Sequence, residues 1–295
     1  MYLAPENRLQ PIISRSRPAT VLTETLLEQG SGGVNEDTLA IGEDCYVVCD
    51  GATSISQDQS GGNKSGGLQA ASIAARVLSE NSPLGFFELA KRANREIYAA
   101  MVNAGVDFSI REHLWSTSFA AVRVKGEMLE WCQTGDCLIM LIYDDGTSKL
   151  LTPEPDHDRE TLRLWKQVSA EVHTTIHETL IDQIAAVRRA MNVTYGVLNG
   201  EPEALKHIAA GYEQVAQVRD ILLFSDGLFP PSEDPDRPLD ITLIRDLYTA
   251  SGLKGLRDHI RMIQQTDPHC CRYPRFKMYD DMSAIALTRS DGLLG

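Results

Sequence analysis

Short apolar runs that end on an acid recur along this chain. Residues 46–53 read YVVCDGAT, where four mostly apolar positions suit a buried strand and run straight into Asp50 and Gly51. The pattern returns in ILLFSD (221–226), and Asp280 and Asp281 directly precede the apolar run MSAIAL (282–287). ATVLTETLLEQ (19–29) partly alternates and predicts a first strand, and TLAIGEDCYVVCD (38–50) predicts two short strands around a turn at 42–44. Antiparallel strands return the chain to its starting end, so Glu36 or Asp37 and Asp50 can meet at one rim. LQAASIAARVL (68–78) is Ala-rich, with Leu68, Ile73 and Val77 among its apolar positions, and predicts a helix. Pro83 opens a second over FFELAKRANREIYAAM (86–101), with alternating charge on its wet face.

From 116 to 143 the chain switches to strand character, with turn signals at Lys125-Gly126 and Thr134-Gly135-Asp136. A further turn at 144–146 leads to Lys149–Leu151, completing an antiparallel meander. Residues 152–218 are less regular: helical patches are expected at 159–168 and 179–191 and a short helix in GEPEALKHIA (200–209), while Thr174, Thr175 and Ile176 favour a strand. Residues 239–264 are helical in tendency and 265–280 form a loop holding Pro268 and Pro274. Helices that follow a hairpin and precede a meander imply an α+β domain in which helices pack on sheets. Residues 1–18, with three prolines and no clean period, read as an irregular arm.

A chain of 295 residues can bury a full-sized core as one domain with inserted segments. Its 28 basic against 41 acidic residues give a formal charge of -13, which disfavours nucleic-acid binding. No uninterrupted apolar stretch is long enough to span a bilayer, and the N-terminus lacks a hydrophobic signal core, so a cytoplasmic protein without a membrane partner is expected. Of the six cysteines, Cys45 and Cys49 share one strand face. Cys270 and Cys271 beside His269 invite a zinc or redox reading, set against idle thiols in a reducing compartment.

The acids at strand ends and turns are the candidate chemistry: Glu36-Asp37, Asp50, Asp136, Asp226 and Asp280-Asp281. Carboxylates brought together repel and rise in pKa unless cations neutralise them. Oxygen ligands without histidine suit hard divalent ions such as Mg or Mn.

In order, NED (35–37), DGATS (50–54), STSFAAV (116–122), TGD (134–136), SDGLF (225–229) and DDMSAI (280–285) resemble the motifs of the PP2C (PPM) family of metal-dependent serine/threonine protein phosphatases, in its bacterial type. The likeness spans roughly residues 20–289. It implies a four-layer α-β-β-α sandwich of two antiparallel sheets flanked by helices over 19–290, with 152–218 as a variable insert or cover. It also implies hydrolysis of phosphoserine and phosphothreonine by a hydroxide bridging two Mn or Mg ions. On the family pattern Asp50 bridges both ions and acts through that water, and the Gly51 carbonyl helps hold one. Asp37 serves the second ion, with Glu36 as the competing assignment. Asp226 and Asp280 serve the first, with Asp281 behind them, and Asn35 and Asp136 support the site. Asp156, in LTPEPDH, is the candidate for a weaker third ion, and His157 beside it for a nearby proton donor. Ser116, Ser118 and Ser225 read as turn or packing residues.

Two departures stand out. The family often carries a phosphate-gripping arginine where this chain has Gly32, and many members carry a histidine where it has Ala52. The phosphate must then be held from elsewhere, with Lys64, Arg15 and Arg17 as guesses. The resemblance implies a phosphoprotein substrate and a cognate kinase. The alternatives are a catalytically weak regulatory or interaction domain and a phosphatase for a small phosphorylated molecule. The sequence is silent on oligomeric state.

Overall fold

The computed structural model describes residues 21–52 and 65–289. The irregular arm and the residues Arg15, Arg17 and Lys64 lie outside them. Two five-stranded antiparallel sheets are stacked face to face. One sheet contains β1 (Val21–Glu28), β10 (Met282–Arg289), β9 (Val218–Phe224), β6 (Leu138–Tyr143) and β7 (Ser148–Leu150), in that spatial order. The other contains β2 (Thr38–Ile41), β3 (Cys45–Ala52), β4 (Ser116–Lys125), β5 (Met128–Thr134) and β8 (Ala209–Gln214).

Strand alternation sorts the side chains into layers. In β3, Cys45, Val47 and Cys49 pack with the buried faces of α1 (Gly66–Leu78) and α2 (Phe86–Ala104), while Tyr46 and Val48 face the opposite sheet. Ile139, Leu141, Leu223 and Ile285 meet Val48, Ala120 and Val122 in the layer between the sheets. The outer face of the first sheet, through Met140, Leu222, Phe224 and Ala284, is covered by α6 (Ile241–Gln265). The layers therefore run helix, sheet, sheet, helix, the α+β sandwich expected from the sequence.

α1 begins at Ser65, whose hydroxyl accepts from the Leu68 amide and caps the helix. α2 is started from a neighbouring strand instead. Glu130 on β5 accepts the Phe86 amide at 2.9 Å, and Arg123 on β4 pairs with the same carboxylate at 2.7 Å while lying 4.7 Å from the Phe86 ring centroid. A carboxylate at a helix N-terminus is favoured by the orphan amides there.

Three details depart from expectation. α6 is two helices joined at Ser251 and Gly252, whose backbone leaves the helical region; Glu24 on β1 caps the second by accepting the Leu253 amide at 3.0 Å. Thr174–Ile176 form no strand: Thr175 is the cap of α4 (Ile176–Thr179), where it and Glu178 make a reciprocal capping box, and Ile176 is the first helical residue. The expected insert over 152–218 is shorter. Residues 209–214 form the edge strand β8 against β5, and β9 begins at Val218. What remains, roughly 152–208, carries α3 (Arg159–Val168), α4 and α5 (Ile181–Arg189). Among the described residues no helix is long and apolar enough to cross a membrane.

Candidate active site

The strand ends deliver the acids to one rim. Thr38 pairs with Cys49, so Asp37, one residue before β2, lies across from Asp50. Asp50 falls on the inward phase of β3 and points toward the other sheet, where β9 ends at Phe224 and β10 starts at Met282. Asp226 opens a single 3-10 turn directly after β9. That turn is pinned by a close approach: a Cβ on Gly227 would lie 1.8 Å from the Asp281 carbonyl oxygen. Gly51 is similarly crowded, with a would-be Cβ 2.4 Å from the Gly67 carbonyl oxygen. Gly227→Ala is expected to displace Asp226 and lower the melting temperature, measured by thermal denaturation. An unchanged melting temperature would show that the approach is not needed.

Asp50, Gly51, Asp136, Asp226 and Asp280 line one cavity of about 330 Å³. A neighbouring groove of about 530 Å³ opens from it past Pro230, Pro235 and Tyr273 and shares Asp136, Asp226 and Asp280. Asp37 sits behind the cavity, 5 % exposed, its carboxylate accepting the hydroxyls of Ser225 at 2.6 Å and Ser283 at 2.8 Å. These serines thus position an acid. Asn35 accepts the Asp37 amide at 2.9 Å and shapes the turn. Glu36 is buried, and its amide donates to Asp281 at 2.9 Å. Asp281 also accepts the Gly30 amide at 2.7 Å, so both of its oxygens hold backbone. Asp280 accepts from Lys277 at 2.9 Å.

Asp156 is not in the cavity. Its side chain is 73 % exposed and lies 4.0 Å from Arg159, whereas Asp158, two residues on, lines the cavity. His157 is brought in, its Nε2 at 3.5 Å from Asp136 and 3.6 Å from Asp158, with its ring stacked on Tyr195.

Crowding sets the electrostatics. Burial pushes Asp50 well above the ordinary carboxylate range, and the charges of Asp37, Asp136 and Asp280 add to it. Burial, then Asp50, Asp280 and Asp136, do the same to Asp226, and the two carboxyls are hydrogen-bonded to each other. Asp37 is raised to about 8, chiefly by burial and further by Asp226 and Asp280, against the opposing serine hydrogen bonds. An all-oxygen set that resists ionisation together is the kind a hard divalent cation relieves. In chemistry the donor set fits Mn or Mg. In arrangement, no group of three or more His, Cys, Asp or Glu side chains among the described residues is assembled as a metal site; Asp37 accepts from the two serines and Asp280 from Lys277. The same statement covers His269, Cys270 and Cys271. All six cysteines are free thiols, and burial pushes Cys49, Cys137 and Cys270 upward.

No protein-family model matches the chain, and no curated protein matches it in sequence. Solved structures do. Stp1, a serine/threonine phosphatase of Staphylococcus aureus, superposes with a TM-score of 0.57 at 17% identity over 96% of this chain and 99% of its own. The fold is PP2C-like. The catalytic domain of the serine/threonine protein phosphatase PstP in complex with two manganese ions gives 0.56 at 16% identity, over 91% of this chain and 97% of its own. PppA, a regulatory component of a secretion system (T6SS) in Pseudomonas aeruginosa, gives 0.56 at 15% over 92% and 98%. At such identities the likeness is one of fold.

Sequence reasoning missed Asp158, Arg188 and Lys277. All three line the cavity from segments whose course a single sequence does not disclose, α3–α5 and the loop before β10.

Proposed function

We propose that this chain is a metal-dependent phosphatase acting on phosphoserine and phosphothreonine in proteins. The observation that carries the reading is the meeting of Asp50, Asp136, Asp226 and Asp280, from separate strand ends, in one cavity of a PP2C-like fold. Asp37, Asp50, Asp226, Asp280 and the Gly51 carbonyl are the groups that would hold two Mn or Mg ions, with Glu36 the alternative to Asp37. When bound, such ions ionise a water and offset charge on phosphoryl oxygens.

The chain's own part is positional. Ser225 and Ser283 fix the Asp37 carboxylate, and Asp281 holds the backbone of residues 30 and 36 against the start of β10. Ile184, Val187 and Val197 add apolar side chains to the wall facing the rim, beside the charged Arg188 of the same helix. Residues 152–208 would thus act as the cover that selects phosphoprotein substrates, supplied by a cognate kinase.

The test is turnover of p-nitrophenyl phosphate and of phosphoserine and phosphothreonine peptides with and without Mn. Hydrolysis that requires the metal and extends to peptides supports the reading. Turnover restricted to small phosphate esters would make the substrate a small molecule. A manganese-loaded protein inert on every substrate would leave a non-catalytic regulatory domain in its place.

A further inference from the structure

The cavity has two walls of opposite character. One is the acidic rim. The other is formed by α4, α5 and the loop before β10, and of the lysines and arginines among the described residues it presents two, Arg188 and Lys277. Their placement is built into the fold. α5 turns Ile181, Ile184 and Arg188 to the cavity at the three- and four-residue spacing of one helix face. Its C-terminal end is held by Arg111, which donates to the carbonyls of Arg189 at 2.7 Å and Met191 at 2.5 Å. Arg111 is held in turn by Glu201, at 2.8 Å.

Lys277 rides on a loop fastened from within. Asp267 accepts the amides of Cys271 at 3.1 Å and Tyr273 at 2.8 Å and pairs with Arg275 at 3.0 Å. Trp165 of α3 donates to the Cys270 carbonyl at 2.7 Å.

Neither cation is tied to the surface. Arg188 forms no ion pair among the described residues, and its guanidinium donates a hydrogen bond of 3.4 Å to the Ser116 hydroxyl at the start of β4. Lys277 reaches across to Asp280. Both line the same cavity as His177, whose pKa is lowered first by burial and then by the charges of Lys277 and Arg188.

We infer that Arg188 and Lys277 form the clamp that holds the phosphoryl dianion of the substrate, from elements other than the one that carries the absent arginine at Gly32. A phosphate monoester offers three terminal oxygens. A guanidinium can take two of them with paired N–H donors, and an ammonium supplies a point charge. An acidic cavity cannot hold a dianion by its carboxylates alone, whereas Arg188 from α5 and Lys277, beside Asp280, supply positive charge within the same cavity. The inference rests on the phosphatase reading for its substrate, but the anion site itself can be tested apart from turnover.

The experiment is calorimetric titration of inorganic phosphate into manganese-loaded protein, for wild type, Arg188→Met, Arg188→Lys, Lys277→Met and the double methionine variant. Mn affinity and thermal unfolding are recorded alongside. Loss of one charge-assisted contact is expected to weaken phosphate by roughly tenfold to a hundredfold. The double variant should be weaker than either single one, and Arg188→Lys should recover part of the loss. KM for p-nitrophenyl phosphate should rise in parallel with the dissociation constant. Mn affinity should persist in Arg188→Met and rise or persist in Lys277→Met, which frees Asp280. A folded double variant that binds phosphate within about twofold of wild type, or a wild type that binds none, overturns the clamp. A wild type that binds no Mn yet binds phosphate in an Arg188-dependent manner would leave the clamp standing and remove the phosphatase reading.

Discussion

Asp50→Asn should abolish metal-dependent turnover and leave the protein folded, and more heat-stable when metal-free. Asp50 is the acid at the centre of the rim: its pKa responds to burial, then to Asp37, Asp136 and Asp280, and it is hydrogen-bonded to Asp226. A side chain with that many carboxylate neighbours is poorly placed for stability and well placed to bind cations. Asparagine keeps the shape and removes the charge. Turnover is expected to fall by more than about 100-fold, since even outer partners of metal ligands cost roughly 10–100-fold when changed. Without metal, the melting temperature should hold or rise, by about 2–4 °C for each kcal/mol of repulsion removed in a domain near this size. Asp226→Asn should behave alike, because burial and Asp50 hold its pKa up in the same way. Steady-state assay, manganese titration and thermal melts decide it. A variant that unfolds would make Asp50 a structural acid, and one that turns over normally would remove it from the chemistry.

The second large effect is on stability against pH. Metal-free protein should lose stability as the pH climbs from the ordinary carboxylate range toward 8, and manganese should restore it. In the folded chain Asp37 titrates at about 8 in place of the ordinary 3.8, and Asp50 and Asp226 are raised well above that ordinary value as well. The folded state therefore keeps protons that the unfolded chain has already released. Stability is complete below the ordinary carboxylate pKa and drains away up to the folded one. Asp37, buried behind the cavity, contributes in this direction by itself. A cation bound by the ionised acids reverses the slope, contributing about 2.7 kcal/mol at a hundredfold excess over its dissociation constant. Melting curves from pH 4 to 8, with and without manganese, give the answer. A flat or rising metal-free profile would show that these acids are not held protonated together, and Asp37→Asn should flatten the fall.

Much of this arrangement is legible in the sequence because apolar strand and terminal acid are adjacent residues. YVVC followed by Asp50, and ILLF followed by Ser225 and Asp226, each specify a buried strand and the charge at its end. The hairpin of β2 and β3 then brings Asp37 across from Asp50 with no tertiary information beyond antiparallel pairing. What is not legible has particular causes. β8 reads AAGYEQ, with none of the β-branched residues that mark strands; it is an edge, and its Gly211 packs beneath the Trp131 indole of β5. The capping pair Thr175 and Glu178 was present to be read, but neighbouring β-branched residues masked it. Ser251-Gly252, inside an otherwise helical pattern, is a breaker signal of the ordinary kind. Asp156 and Asp158 differ by two residues and by which way a loop turns, a distinction that only packing makes. Arg188 reaches the cavity from a helix anchored by Arg111, and Lys277 from a loop anchored by Asp267 and Trp165, long-range contacts that leave no local pattern.

The bonds from Asp281 to the amides of Gly30 and Glu36, with β1 lying along β10, close the rim between residues some 245 positions apart. A nascent polypeptide emerging from the ribosome exposes Asp37 and Asp50 long before Asp280 and Asp281 have been translated. The acidic rim is thus complete only once Asp280 and Asp281 have been added, and a fragment that stops short of them carries half of it.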